Sequence, residues 1–136
     1  MRRRLLFAAP LLLALAGCQN GQVPNLFGPS RAHTFPIFFT EDSALLGANA
    51  QGIITMAADA AKADANARVV VRGFAAPDTG TAAFNRALSE ARARAVADAL
   101  ISKGIPTSRV AIQPRGEVSF EMFPTESRRV EIHIGG

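Results

Sequence analysis

The hydrophobic and polar positions of this chain follow the periods of strands and helices in turn. Segment 128–134 is hydrophobic at every second position, which is typical of a half-buried strand. Segment 68–74 contains a run of valines and favours a strand covered on both faces or nearly so. Shorter strands are predicted at 35–39, where Pro36 restricts the strand to its start or to a sheet edge, and at 110–113. The buried face of the last strand is predicted to carry Val130, Ile132 and Ile134.

Two segments between these strands have helical spacing. The first helix is predicted to begin at Asp42 or Ser43, either of which can act as its N-cap, and to continue to about Asp64. The second runs from about 81 to 103 and ends at Gly104, because glycine is favoured after a helix and the nearby proline cannot continue one. The apolar face of the first helix consists of Leu46, Ala50, Ile53, Ala57 and Ala61.

The resulting order of elements, βαβαββ, predicts an α+β fold. We expect a two-layer α/β sandwich in which two helices pack on one mixed four-stranded sheet.

The N-terminal residues have the pattern of an export signal. Arg2–Arg4 precede the apolar stretch Leu5–Ala16, which is too short to span a bilayer, since a spanning helix needs about 20 residues. The stretch ends in Leu15–Cys18, which resembles the bacterial lipobox, where a peptidase cuts before a cysteine that becomes lipidated. Cys18 is the only cysteine of the chain, so it has no internal disulfide partner. A free or intermolecularly paired thiol is the alternative.

These observations divide the chain into three parts. We predict a lipoprotein signal peptide at 1–17, a lipidated N-terminus with a flexible linker at 18–33, and one folded domain at 34–136. Gln19, rather than an aspartate, follows the cysteine, and by the usual sorting pattern of such lipoproteins this favours the outer membrane.

Charge and composition exclude several functions. The net charge of +4 includes Arg2–Arg4, and without them twelve basic and eleven acidic residues remain, so nucleic-acid binding has no support. The two histidines, His33 and His133, lie far apart in the sequence, and no catalytic or metal-binding motif is present. We therefore expect no enzyme, no metal and no cofactor, and an exported enzyme is the least favoured alternative.

The second helix carries polar residues near its apolar face. On a helical wheel, Asn85, Ser89 and Arg92 form a polar seam in the sector expected to face the sheet. One interpretation is a structural Arg92 that binds internal partners, since an unpaired buried guanidinium is costly. The other is a ligand-binding site beside the loop 75–80, in which the guanidinium stays reachable from outside.

These residues resemble the OmpA-like C-terminal domain family. The resemblance covers roughly residues 35–134, and the family fold is a periplasmic βαβαββ sandwich. The segments that carry it are Val71–Asp78, Asn85, Leu88–Ala93, Val96, Lys103–Pro106 and Ser127–Ile132.

The resemblance implies a ligand, the diaminopimelate-bearing stem peptide of peptidoglycan. Family members bind it with an aspartate in the loop after the second strand and with the arginine that corresponds to Arg92. Here the aspartate position holds Ala76, but the segment 73–80 is similar to a variant branch in which Asp78 would supply the carboxylate. Ser127 replaces an asparagine of the family's closing motif.

The expected chemistry is recognition of a zwitterion. Arg92 would grip the carboxylate of diaminopimelate, while Asp78 would bind its ammonium and N–H groups at the start of the helix would add affinity for the anion. Asp78 can equally be a turn residue or a helix N-terminal charge. The predicted ligand-binding residues are Asp78, Thr79, Asn85, Arg92 and Arg129.

The function that follows is a non-covalent tether. We expect an outer-membrane lipoprotein, anchored by lipid at Cys18, whose periplasmic domain binds peptidoglycan. Other envelope proteins are a further class of expected partners. The alternative is a structural or protein-interaction lipoprotein of the same fold that has lost peptidoglycan binding. Whether Phe120, Met122 and Phe123 belong to the core or to an exposed contact surface is left open by the sequence.

Overall fold

The computed structural model describes residues 32–78 and 80–135. The predicted signal peptide, the predicted lipidation site Cys18 and the predicted site residue Thr79 lie outside the described residues. The order βαβαββ is confirmed. The elements are strand β1 at His33–Phe38, helix α1 at Ala48–Ala63, strand β2 at Val69–Ala75, helix α2 at Ala82–Ser102, strand β3 at Val110–Glu117 and strand β4 at Arg129–Ile134.

The four strands form one mixed sheet in the order β1-β4-β2-β3. β2 and β3 are parallel, while β4 is antiparallel to both β1 and β2. The last residues of β1, β2 and β3 and the first residues of β4 therefore lie at the same end of the sheet, which we call the upper end. β1 is an edge strand, as expected from Pro36, which is tolerated at the start of a strand or at a sheet edge.

Both helices cover one face of the sheet. α2 packs mainly on β2 and β3, and α1 packs beside it near β1. The alternation predicted for β4 is confirmed, because Val130, Ile132 and Ile134 are buried in the core, whereas the residues between them are partly exposed on the open face. In the described part of the chain, neither helix is long and apolar enough to cross a membrane.

The ends of α2 agree with the sequence. The Thr81 side chain caps the helix by accepting a hydrogen bond from the backbone N–H of Phe84 at 3.2 Å. Gly104 has a left-handed backbone with φ of 98° just after the helix, which glycine adopts without strain. Gly73 allows α2 to approach β2 closely, since a Cβ there would overlap the carbonyl oxygen of Ser89.

The predicted start of α1 is wrong. The helix begins at Ala48, and the residues from Thr40 to Gly47 form a loop in which Asp42 has a left-handed φ of 46°. Two backbone carbonyls of this loop accept hydrogen bonds from α2, and such tertiary contacts override the local capping preference of Asp42 and Ser43.

The predicted end of β3 is also wrong, because the strand continues through Pro114 to Glu117. β3 is an edge strand, so a proline there removes no hydrogen bond from the interior of the sheet. The register between β2 and β3 shifts after Gly73, where Phe74 pairs with Gly116.

Candidate ligand-binding site

Arg92 lies at the upper end of the sheet and is completely buried, with 0% of its surface exposed. Its Nε donates a hydrogen bond to the carbonyl of Ser43 at 2.8 Å, and its Nη2 donates to the carbonyl of Thr40 at 3.1 Å. Its Nη1 donates to the carbonyl of Phe74 at 3.2 Å. The guanidinium carbon lies 5.2 Å from the centre of the Phe39 ring, which adds a cation–π contact.

The pKa of Arg92 is lowered to about 10, chiefly by burial and next by the nearby positive charge of Arg128, while the carboxylate of Asp42 opposes the change. The side chain is still a cation at neutral pH. The prediction that its guanidinium is reachable by a ligand is wrong in this structure, because the loop after β1 folds over it. The alternative interpretation, a structural arginine with internal partners, describes the observed geometry.

The three carbonyls that bind Arg92 belong to the loop after β1 and to the end of β2. Arg92 itself lies on α2, so a single side chain joins the three segments that form the upper end of the fold. Its role in this structure is therefore to position the loops.

The exposed charges of the upper end meet at Arg128. Its Nη2 lies 3.0 Å from Oδ2 of Asp78 and 3.5 Å from Oε1 of Glu41. A hydrogen bond of 2.8 Å from the Phe39 amide to the Arg128 carbonyl fixes the start of β4 against the end of β1. The side chain of Arg128 is 13% exposed, that of Asp78 is 33% exposed and that of Glu41 is 61% exposed. We call Glu41, Asp78 and Arg128 the ion cluster.

Asp78 lies at the upper end in the ion cluster, where its cationic partner is Arg128 and not Arg92. Neither Glu41 nor Arg128 was singled out by the sequence. The alternation of β4 could have identified Arg128. Arg128 lies two and four residues before Val130 and Ile132, so its side chain points to the same face of the sheet as theirs, toward the helices. Nothing in the local sequence indicates Glu41, which joins the cluster only through the pairing of β1 with β4.

Arg129 points to the opposite face of the sheet from Arg128. Its Nε lies 2.7 Å from Oε1 of Glu131, its Nη1 donates to the carbonyl of Glu126, and its guanidinium carbon lies 4.4 Å from the centre of the Phe74 ring. The structure therefore does not bring Arg129 into the ion cluster, because adjacent strand residues point to opposite faces.

Glu131 is the centre of a small network on this open face. His133 Nε2 lies 3.0 Å from its Oε2, on the side opposite the contact with Arg129. Burial alone would raise the pKa of Glu131, but the hydrogen bonds and charges of Arg129 and His133 outweigh that effect and leave the pKa below its ordinary value of 4.5.

The polar seam predicted on α2 is confirmed, since Asn85, Ser89 and Arg92 are all buried. Asn85 Nδ2 donates to Oε1 of Glu117 at 2.9 Å, and Ser89 Oγ accepts a hydrogen bond from the Gly116 amide at 3.0 Å. The seam thus fastens α2 to the end of β3, as well as to the loops that Arg92 holds.

Two buried polar atoms of the described residues, Asn85 Oδ1 and Ser127 Oγ, have no hydrogen-bond partner. Ser127 is the residue that replaces the asparagine of the family motif, and Ala76, at the family's aspartate position, is buried and apolar. The carboxylate that Asp78 brings to the upper end is therefore two residues away from the usual position.

The hydrophobic residues of the loop between β3 and β4 differ in their exposure to solvent. Phe120 is partly buried, whereas Met122 and Phe123 are 74% and 61% exposed.

Two further features of the described part of the chain are its lack of a candidate metal site and a small cavity away from the ion cluster. Residues 32–78 and 80–135 contain no group of three or more histidine, cysteine or acidic residues that could hold a metal ion. A cavity of about 180 Å³ lies at the lower end of the sheet, near His33 and Ile134, but its lining is mainly apolar and it is remote from the ion cluster.

Comparison with known proteins places the chain in a family. Residues 38–128 match the model of the OmpA family. The peptidoglycan-associated lipoprotein of Mesorhizobium japonicum is 33% identical over 126 residues, a match that covers 80% of this chain and 74% of the relative.

Two solved structures are similar in fold. The crystal structure of the peptidoglycan-associated lipoprotein from Burkholderia pseudomallei superposes with a TM-score of 0.67 at 22% identity, covering 73% of this chain and 88% of that one. The cell wall anchor of the T6SS from Pseudomonas aeruginosa superposes with a TM-score of 0.64 at 25% identity, covering 77% of this chain and 82% of that one.

These matches agree with the architecture of two helices on a mixed four-stranded sheet. The chain therefore belongs to the OmpA family, as a structural and non-enzymatic protein.

Proposed function

We propose that this protein is an outer-membrane lipoprotein that binds peptidoglycan non-covalently and tethers the outer membrane to the cell wall. The relative from Mesorhizobium japonicum is named as peptidoglycan-associated, and the Pseudomonas aeruginosa structure is named as a cell wall anchor. In this proposal the signal peptide at 1–17 is removed, Cys18 carries the lipid, and the domain lies in the periplasm.

The observation that carries the proposal is the ion cluster. Diaminopimelate presents a carboxylate and an ammonium on one carbon, and the cluster offers a guanidinium between two carboxylates. The contacts of the Arg128 side chain with Asp78 and Glu41 both use Nη2, and in this proposal the remaining N–H groups of the planar fork contact the ligand carboxylate. The ammonium of the ligand then pairs with Asp78 or Glu41.

In this arrangement Arg92 and Arg128 share the role that the family resemblance implies for Arg92 alone. Arg128 contacts the ligand, while Arg92 holds the loop after β1 and the end of β2 in place beneath the cluster. Asp78 replaces the carboxylate that is missing at Ala76. Thr79 and the first N–H groups of α2 lie beside Asp78 in the sequence and remain proposed contacts for the anionic part of the ligand.

The position of the ion cluster suits a tether. The chain enters the domain at His33, at the lower end of the sheet, where it pairs with Ile134. The ion cluster lies at the upper end, so a six-residue strand, about 20 Å long, separates the entry of the linker from the proposed site. The lipid and the cell wall would therefore pull on opposite ends of the domain.

A second function is favoured by the two replaced family positions. Ala76 offers no carboxylate and Ser127 offers no amide, so the domain would keep the fold but interact with other envelope proteins instead of the wall. This alternative predicts that the ion cluster serves only to stabilise the upper end.

Sedimentation with insoluble murein sacculi separates the two functions. We expect the purified full chain, kept in mild detergent, to sediment with sacculi, and we expect Arg128→Gln and Asp78→Asn to remain largely in the supernatant. Arg94→Gln is the matched control, since Arg94 forms an exposed salt bridge with Glu90 on the outer side of α2.

A parent protein that stays in the supernatant while an established murein-binding lipoprotein sediments would contradict the proposal and support the alternative. If the parent and both ion-cluster variants sediment equally, the protein binds murein at another site.

A further inference from the structure

The loop between β3 and β4 presents two large hydrophobic side chains to solvent in a fixed conformation. The carboxylate of Glu126 accepts hydrogen bonds from the backbone N–H groups of Glu121 and Phe123, each at 3.1 Å. Met122 lies between these two bonds, at the tip of the loop. Because the backbone on both sides of Met122 is held by one carboxylate, the exposure of Met122 and Phe123 is built into the loop. We call these two residues the apolar tip.

The apolar tip is a short distance from the ion cluster. A 3₁₀ turn at Pro124–Glu126 connects Phe123 to Ser127 and Arg128, and the Arg128 amide donates to the Thr125 carbonyl at 3.2 Å. Three residues of this turn rise by about 6 Å. The other end of the loop is also anchored at the upper end, since the Val118 amide donates to the Ala75 carbonyl at 3.0 Å.

We infer that the apolar tip binds the saccharide chain of the same peptidoglycan ligand. The inference rests on the proposed function, because it takes the stem peptide to be seated at the ion cluster. In peptidoglycan the stem peptide is attached to the glycan strand, and the residues between diaminopimelate and the sugar span about 10 Å when extended. A ligand seated at Arg128 therefore brings its saccharide into reach of Phe123.

The chemistry of the tip fits a sugar. One face of a pyranose ring carries C–H groups with partial positive charge, and these pack against the negative face of an aromatic ring. Met122 adds an adaptable apolar surface beside the phenyl ring. The neighbouring side chain of Glu121 is exposed and offers an acceptor for sugar hydroxyls.

Other occupants fit less well. Two side chains provide far less than the about 800 Å² per partner that a stable protein interface buries. The carboxylates of Glu121 and Glu126 lie at the tip, and they would repel the anionic surface of a membrane.

A pair of matched ligands tests the inference. The full chain in mild detergent is titrated calorimetrically with a disaccharide tripeptide released from murein and with the same tripeptide lacking the sugar. We expect the parent to bind the disaccharide tripeptide about three- to tenfold more tightly, and we expect Phe123→Ala to remove this difference without changing the affinity for the bare tripeptide. Met56→Ala is the control, since Met56 is 62% exposed on α1, away from the upper end.

The outcomes separate this inference from the proposed function. Equal affinities of the parent for the two ligands, or an equal loss for both in Phe123→Ala, would overturn the role of the apolar tip while leaving stem-peptide binding intact. Failure of the parent to bind either ligand would overturn the proposed function and this inference together.

Discussion

Arg92 and Arg128 are electrostatic neighbours, yet one is surrounded by backbone carbonyls and the other faces two carboxylates. A buried cation needs acceptors on several sides, and the carbonyls of Thr40, Ser43 and Phe74 supply them. Arg128, whose side chain keeps 13% of its surface exposed beside two carboxylates, can instead exchange its partners for those of a ligand. At the residue scale, burial therefore decides which arginine holds the fold and which is available for binding.

The first prediction concerns Arg92. Arg92→Ala should lower the free energy of unfolding by about 3 kcal/mol, because it leaves three backbone carbonyls without their charged donor. The measurement is urea denaturation of the parent and the variant. Arg94→Ala, at an exposed position of the same helix, should change the free energy by less than about 0.5 kcal/mol. Equal effects of the two substitutions would show that Arg92 is not the structural centre of the upper end.

How far the site could be predicted from the sequence depends on which contacts are local. Helical spacing places Arg92 on the inner side of α2 and strand parity places Arg128 on the inner side of β4, so both positions follow from the pattern. Which guanidinium stays accessible depends on the loop after β1, whose path is determined by contacts more than 48 residues apart in the sequence. The sequence pattern contains no signal for that path, and the expected accessibility of Arg92 was wrong for this reason.

At the scale of elements, the two helices differ in whether local residues or tertiary contacts set their boundaries. α2 has a side-chain cap at Thr81 and a glycine after its end, and both boundaries follow from these local residues. α1 has no side-chain cap, and its start at Ala48 is set by the loop that binds Arg92. Local capping signals therefore predict an element only where no tertiary contact competes for the same backbone.

The second prediction concerns the buried face of β4. Ile132→Asp should unfold the domain, because an unpaired carboxylate in the core costs several kcal/mol out of a total stability of about 5–15 kcal/mol. Circular dichroism should show loss of the cooperative thermal transition. Gln113→Asp places the same charge on an exposed strand position and should leave the transition in place. A cooperative Ile132→Asp variant with unchanged melting temperature would contradict the assigned register of β4.

The third prediction concerns the network on the open face of the sheet. The pKa of Glu131 is lowered in the folded protein, so its carboxylate stabilises the fold above the ordinary value of 4.5, and this contribution is lost as the pH falls through the folded-state pKa. Glu131→Gln should therefore be less stable than the parent at neutral pH, and the difference should shrink at about pH 3. Urea midpoints at the two pH values give the comparison. A difference that stays constant or grows in acid would show that Arg129 and His133 do not stabilise the charged form.

At the scale of the whole molecule, the mixed sheet gathers the ends of β1, β2 and β3 and the start of β4 at one edge. The ion cluster takes its three members from three of the segments at that edge. The chain enters at the opposite edge, so the topology itself separates the proposed wall-binding surface from the linker.

The fourth prediction concerns the anchor. Cys18→Ser should move the protein from the membrane fraction to the soluble periplasmic fraction, because lipidation at this residue is the proposed attachment. Immunoblots of fractionated cells give the measurement, with Arg94→Ala as a control that should remain in the membrane fraction. Continued sedimentation of Cys18→Ser with membranes, at the level of the parent, would contradict the lipoprotein assignment.

The central claim is that the ion cluster recognises a carboxylate and an ammonium on one carbon of a peptidoglycan stem peptide. Competition for sacculi between the full chain and free small molecules tests it most directly. The account predicts that millimolar diaminopimelate releases the sedimented protein, whereas cadaverine, which has the same two ammonium groups but no carboxylate, does not. Release by both compounds alike, or by neither, would contradict recognition of the zwitterion by Arg128 and Asp78.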